Sequence, residues 1–159
     1  MKTSNKSILI LPDVRSAINV GSMFRTADAV GVGKVYLTGV TPCPNDKFGR
    51  VQKDIAKSAL GAETWVPWEY KKMLIPLLKS LKKDGYTIVA IEQDERAVDY
   101  RKVKVPKRVA FIVGTEVTGL EKKVLKECDK VAYIPMHGKK ESLNVSVAAG
   151  VALFRMLRD

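Results

Sequence analysis

The sequence has few of the residues that bind metals or form disulfides. Its 159 residues include two cysteines, Cys43 and Cys128, and one histidine, His137. The cysteines do not form a Cys-x-x-Cys pair, and His137 is not at a zinc-site spacing from either of them. We therefore expect a reducing compartment and no structural metal.

Long apolar runs are also absent. No stretch approaches the roughly 20 apolar residues that a helix needs to cross a bilayer. The polar residues 1–6 lead into only five apolar-type residues, too few for a secretory signal peptide. We therefore expect a cytoplasmic protein. Hydrophobic residues still make up 46% of the chain, enough for the core of one domain.

Several familiar nucleotide-binding and hydrolase motifs are missing. The sequence contains no GxxxxGK[ST], GxSxG or HExxH pattern. Gly31-Val32-Gly33 begins like a dinucleotide loop, but it follows a predicted helix and precedes a predicted strand, the reverse of the required order. Gly31 is better explained as a helix C-cap followed by a turn.

Positive charge, in contrast, is abundant. Lys and Arg number 28 against 17 Asp and Glu, which gives a net charge of +11, and the excess is spread along the chain. A folded domain this basic favours a polyanionic partner. The alternative is a basic protein with a solvated lysine surface, and charge alone does not separate the two.

Short β-rich apolar runs alternate with helical patterns. The runs predict strands at residues 7–11, 34–37, 87–91, 109–113 and 131–134. Apolar residues at helical spacing predict helices within 20–30, 74–81, 124–128 and 144–157. This alternation predicts a single α/β domain over residues 1–159, with a mostly parallel sheet flanked by helices. The last helix is apolar nearly all round, so we expect it to be buried on several sides, against its own sheet or a second subunit.

Polar clusters directly follow three of the predicted strands, at residues 12–21, 114–120 and 135–144. Ligands of open α/β sheets bind outside the carboxyl ends of the strands. The three loops therefore predict one ligand site at this edge of the sheet.

The first cluster leads into a helix for which Asn19 is the predicted N-cap. Arg25 lies about 9 Å further along the helix axis, from where its side chain can lean back toward the anion-favouring helix end and hold a phosphate. The alternative is an exposed Arg25 paired with Asp28.

The other two clusters also have local explanations. Thr118 and Glu121 predict a capping box for the next helix, which leaves Glu116 without a structural role. Ser142 and Asn144 are both capping-type residues before the last helix, more than one helix needs.

These motifs together resemble a known family. Residues 19–28 (NVGSMFRTAD), 114–120 (GTEVTGL) and 134–149 (IPMHGKKESLNVSVAA) are similar to the three motifs of the SpoU (TrmH-like) branch of the SPOUT RNA methyltransferases. Residues 57–63 (KSALGAE) match the family pattern between the first two. The resemblance covers the chain from about Leu11 to Leu157.

The resemblance implies a parallel α/β sheet with a C-terminal trefoil knot, a rare exception to unknotted folds. It also implies a homodimer that transfers a methyl group from S-adenosyl-L-methionine to a ribose 2′-hydroxyl of tRNA or rRNA. The implied cofactor contacts are Gly114, Ile134, Met136 and Leu143, and the implied catalytic residues are Asn19, Arg25, Glu116, Ser142 and Asn144.

Arg25 has the least obvious of these roles. Its position is often described in the family as the base, but a guanidinium stays protonated at neutral pH. We expect Arg25 instead to fix a phosphate and stabilise the developing alkoxide. No separate RNA-binding domain, which many relatives carry, is expected. The alternatives are a non-catalytic RNA-binding module on this fold and an RNA base methyltransferase.

Overall fold

The computed structural model describes residues 6–115 and 118–158. Within them, the strands are β1 (Ser7–Pro12), β2 (Lys34–Thr38), β3 (Trp68–Lys71), β4 (Thr87–Ile91), β5 (Val98–Asp99), β6 (Val109–Val113) and β7 (Lys130–Tyr133). The helices are α1 (Ala17–Val30), α2 (Lys53–Ala59), α3 (Ala62–Trp65), α4 (Leu74–Lys83), α5 (Lys122–Glu127) and α6 (Val145–Arg158), with a 3-10 turn at Tyr100–Lys102.

The strands form one sheet in the order β3-β2-β1-β6-β4-β7-β5, in which every described pairing is parallel. The predicted parallel α/β fold is therefore confirmed, while the trefoil knot stays a prediction. The central strands β1 and β6 are buried along their whole length, as expected where helices cover both faces. The unpredicted strands β3 and β5 lie at the sheet edges and have no apolar run, because only one side of each is paired.

Two apolar layers cover the sheet. Alternate residues of β1, such as Leu9 and Leu11, pack with residues of α1, α2 and α6. The intervening residues Ile8 and Ile10 pack with α4 and α5 on the opposite face. This alternation follows from the two-residue period of a strand. It brings the starts of α1 and α6 to the same face of the sheet.

Helix α1 begins earlier than predicted. The sequence predicts Asn19 as the N-cap, and this prediction is wrong: Ser16 has extended backbone and its side chain accepts a hydrogen bond from the Asn19 amide at 3.2 Å. Serine caps as well as asparagine does, so the helix starts at Ala17 and Asn19 lies in its first turn. At the other end, Gly31 is the predicted C-cap, with a left-handed φ of 82°.

Helices α1 and α2 pack unusually closely. A Cβ on Gly21 would lie 1.9 Å from Ser58 Oγ and 2.5 Å from the Ile55 carbonyl oxygen. Only glycine allows helix α1 to approach α2 this closely. Helix α2 was not predicted because its seven residues bury only Ile55 and Ala59, too few for a helical pattern.

Helix α6 is buried on one side only within the chain. Ala149, Ala152, Leu153 and Met156 face the core, while Val147, Val151 and Phe154 are 49%, 37% and 45% exposed. The exposed three recur at helical spacing and form one stripe, which we call the α6 stripe. Among the described residues, no helix has both the length and the apolarity to cross a membrane.

Candidate functional site

A cavity of about 360 Å³ lies at the carboxyl edge of the sheet, where β4, β6 and β7 end. It is also bounded by the starts of α1 and α6. Seven of the nine residues singled out from the sequence line it: Asn19, Gly114, Ile134, Met136, Ser142, Leu143 and Asn144. The structure therefore brings together side chains that are more than a hundred positions apart in the chain.

Asn144 joins the first and third motifs. Its Oδ1 accepts hydrogen bonds from the Ser146 amide at 2.9 Å and the Ser146 hydroxyl at 2.6 Å, so it caps α6. Its Nδ2 donates to Asn19 Oδ1 at 3.3 Å. Because one end of the amide accepts and the other donates, the side chain fixes the start of α6 against the start of α1. Ser142 is exposed and does not hydrogen-bond with another described residue, so it is not a second cap.

Glu92 is part of the cavity wall that the sequence interpretation missed. Its Oε2 accepts from the Leu120 amide at 3.0 Å, and its Oε1 accepts from the Gln93 amide at 2.8 Å. A Cβ on Gly114 would lie 2.3 Å from Glu92 Oε2. The glycine therefore makes room for a carboxylate that holds the 114–120 loop. Its position in the sequence could have pointed to this role, since Glu92 directly follows a predicted strand.

Arg25 lies outside this cavity. It is exposed on α1, does not line the cavity, and forms no hydrogen bond or ion pair with another described residue. The alternative pairing of Arg25 with Asp28 is wrong, because Asp28 Oδ1 instead accepts a hydrogen bond from Trp65 Nε1 at 2.7 Å. The guanidinium is thus available to a ligand or to another chain.

The 114–120 loop is described on either side of Glu116, which itself lies outside the described residues. Thr115 Oγ1 donates to the Gly119 carbonyl at 2.9 Å and lies 3.0 Å from Thr118 Oγ1. The predicted capping box is wrong: α5 begins at Lys122 with Glu121 at its N-cap. Thr118 therefore does not cap α5, and its hydroxyl instead hydrogen-bonds with the Thr115 hydroxyl within the loop.

The two thiols do not offer a nucleophile to this site. Burial raises the pKa of Cys128 to about 12, and burial also raises the pKa of Cys43. Neither forms an appreciable amount of thiolate at neutral pH, and the thiolate is the reactive form. Across residues 6–115 and 118–158, no three potential ligands among His, Cys, Asp and Glu lie close enough together to hold a metal ion.

Comparison with known sequences matches the chain to a family. The model of the SpoU rRNA Methylase family matches residues 6–154. An uncharacterized tRNA/rRNA methyltransferase of Archaeoglobus fulgidus is 33% identical over 157 residues, which are 99% of this chain and 66% of that protein. A Staphylococcus saprophyticus protein assigned to the TrmH family of tRNA/rRNA methyltransferases is 33% identical over 152 residues, 96% of this chain and 58% of its own length. The chain thus spans less than two thirds of these curated relatives.

Solved structures share the fold over nearly the whole chain. The A. aeolicus TrmH/SpoU tRNA modifying enzyme superposes with a TM-score of 0.85 at 30% identity, over 99% of this chain and 76% of that one. An AdoMet-bound rRNA methyltransferase from Sinorhizobium meliloti has a TM-score of 0.85 at 27% identity, over 96% and 56%. An RNA 2′-O ribose methyltransferase has a TM-score of 0.83 at 25% identity, over 99% and 58%.

Proposed function

The chain belongs to the SpoU rRNA methylase family, and we propose on that basis that it transfers a methyl group from S-adenosylmethionine to a ribose 2′-hydroxyl of tRNA or rRNA in the cytoplasm. The observation that carries the proposal is the cavity lined by seven of the motif residues. The bound AdoMet of the S. meliloti structure and the ribose chemistry of the 2′-O methyltransferase support the cofactor and the target atom.

The cavity walls suit this cofactor. A volume of about 360 Å³ is in the usual range for small-molecule sites. Ile91, Val113, Ile134 and Leu143 supply apolar surface suited to a purine, and the Glu92 carboxylate suits hydroxyl or ammonium groups. With Gly114 and Met136, these residues would hold the cofactor. When bound, S-adenosylmethionine would supply an electrophilic methyl group on its sulfonium sulfur, and the neutral thioether S-adenosylhomocysteine would be the leaving group.

The chain's own residues orient the RNA for this transfer. Asn19 and Asn144 are hydrogen-bonded to each other at the cavity wall, and we assign them the placement of the ribose hydroxyl. Ser142 lies exposed at the same wall and presents a hydroxyl to the incoming ribose. We assign Arg25, whose guanidinium fork suits a phosphate, the role of holding a phosphate and stabilising the developing alkoxide. Glu116, from the second motif, stays a predicted catalytic residue.

Methyl transfer to RNA tests the proposed function directly. Incubation of the protein with isotope-labelled S-adenosylmethionine and total RNA should label tRNA or rRNA. Nuclease digestion and mass spectrometry should then place the label on a 2′-O-methylated nucleotide. Label on a base would contradict the ribose assignment. RNA binding without cofactor binding or transfer would favour the non-catalytic module.

The α6 stripe supports a homodimer. Val147, Val151 and Phe154 form an exposed apolar face, and Ile18 and Leu143 are exposed beside the hydrogen-bonded pair Asn19–Asn144. Apolar residues grouped in this way are typical of an interface. We propose that a second copy of the chain covers this surface.

Sedimentation at micromolar concentration should therefore give about twice 17.6 kDa. Val147→Glu should shift the protein toward the monomer, since it would place a charge inside the interface. Val98→Glu is a matched control, because Val98 is 47% exposed on the edge strand β5 and Val147 is 49% exposed. A wild-type monomer, or equal effects of the two variants, would contradict the interface.

A further inference from the structure

The loop between β2 and α2 displays an aromatic side chain between two cations. Phe48 is 70% exposed, more than any other large apolar residue that the structure describes. Lys47 Nζ lies 5.1 Å from the centroid of its ring, and Arg50 Cζ lies 5.0 Å from it. An exposed ring flanked by positive charge has no packing role within the described chain.

The Phe48 loop (residues 45–51) is held in one shape. A bridge between Asn45 and Val51 closes it. Inside it, Asp46 Oδ1 accepts hydrogen bonds from the Phe48 and Arg50 amides at 2.8 Å and 2.9 Å, and Oδ2 accepts from Arg50 Nε at 2.7 Å. These bonds, led by the Arg50 amide, hold the pKa of Asp46 below its ordinary value. The ring is therefore presented on an ordered turn, so a ligand does not have to order the loop as it binds.

A basic hollow of about 530 Å³ lies beside the loop. Lys47, Arg50 and Lys53 line it, together with Tyr70 from β3. Among the described residues, the one carboxylate in its wall is Asp46, which is already paired with Arg50. The hollow therefore carries net positive charge next to an exposed aromatic ring.

The hollow and the cofactor cavity lie along the same carboxyl edge of the sheet. A middle groove of about 590 Å³ lies between them, and Thr115 lines both this groove and the cavity. On its other side, the Tyr70 hydroxyl donates to the Gly39 carbonyl in the groove wall at 2.8 Å. The distance across the sheet from β6 to β3 is three strand spacings, or roughly 14 Å. A strand with one nucleotide in the cavity can extend along this edge.

We propose that the Phe48 loop is a binding site for an unpaired RNA nucleotide that flanks the modified one. Its base stacks on Phe48, and its phosphates lie against Lys47, Arg50 and Lys53. Stacking on aromatic rings next to cationic grooves is how single strands are bound with little sequence preference. The inference rests on the proposed function, because it takes RNA as the substrate. It adds that the target lies in a single-stranded segment, since a paired base does not expose its face.

Fluorescence anisotropy with a labelled oligoadenylate and a duplex RNA of the same length tests the site. Phe48→Ala should weaken single-strand binding about 5- to 150-fold, the range for losing one stacked base, and should change duplex binding little. Phe48→Trp should restore it. Leu60→Ala is the matched control, because Leu60 is 62% exposed on a different segment and should have no effect.

Salt dependence separates the two contributions. Lys53→Gln should reduce the slope of log affinity against log salt by about 0.7, the value for one phosphate on a single strand. Phe48→Ala should leave the slope unchanged while lowering the affinity. Unchanged single-strand affinity in Phe48→Ala, or equal losses for single strand and duplex, would overturn the inference and leave the loop to a partner such as a protein.

The inference and the proposed function fail in different ways. The protein could bind single strands through Phe48 and yet neither bind S-adenosylhomocysteine nor transfer a methyl group. That result would overturn the proposed function and leave this inference standing. The protein could instead transfer a methyl group while Phe48→Ala leaves its RNA affinity unchanged. That result would overturn this inference and leave the proposed function standing.

Discussion

Replacement of Arg25 by alanine is expected to reduce the single-turnover rate of methyl transfer by about 10²–10³, the usual loss for one transition-state donor. Cofactor affinity should stay nearly unchanged, because Arg25 does not line the cofactor cavity. Arg25→Lys should recover only part of the rate, since an ammonium keeps the charge but not the bidentate fork. Calorimetry with S-adenosylhomocysteine and rapid-quench kinetics measure the two quantities.

The pH dependence of the same rate identifies the role of Arg25. If the guanidinium holds phosphate and alkoxide, both variants lower the rate and leave the titration of the proton acceptor in place. A shift of the profile by several pH units in Arg25→Lys, at near-normal maximal rate, would instead make Arg25 the base.

Gly114→Val is expected to lower cofactor affinity by about 100-fold, or roughly 2.7 kcal/mol. The new Cβ would lie 2.3 Å from Glu92 Oε2, so the carboxylate has to move and release the Leu120 amide. Two residues of the cavity wall then change at once. Calorimetry measures the affinity, and thermal unfolding shows whether the fold survives.

A double-mutant cycle tests the proposed cause. Gly114→Ala should weaken cofactor binding in the wild type and cost little in a Glu92→Ala background, because the atom it would strike is gone. The same loss in both backgrounds would mean that the added methyl group acts on the cofactor directly.

The two variants together show which subunit uses Arg25. Because Arg25 is exposed outside its own cavity, we expect it to serve the partner's site. Mixed dimers of Arg25→Ala and Gly114→Val chains would then contain one intact site, with the cavity of one chain and the arginine of the other. Activity should return on mixing. If dimers shown to be mixed do not recover activity, Arg25 serves the cavity of its own chain.

The sequence predicts which loops surround the cavity better than it predicts the residues that hold those loops in place. The three loops were predictable because they follow predicted strands and parallel strands end at one edge, and the family resemblance then singled out Asn19, Gly114 and Asn144 within them. Ser16 was missed because two good caps stand three residues apart and the local pattern does not choose between them. Glu92 and Phe48 were missed for a different reason. Their roles depend on neighbours in space. Glu92 contacts Leu120 and lies against Gly114, and Phe48 is presented by a closed turn.

The strand order also sets when the site can form during folding. β1 comes long before β6 in the chain, yet its Ser7 pairs with Val109 of β6. The cavity further needs Asn144 and Val145 at the start of the last helix. Such distant pairings incur a large loop-closure entropy before contacts compensate for it, so folding is slow. In a nascent chain, the cavity at this edge of the sheet therefore stays incomplete until the start of α6 has emerged.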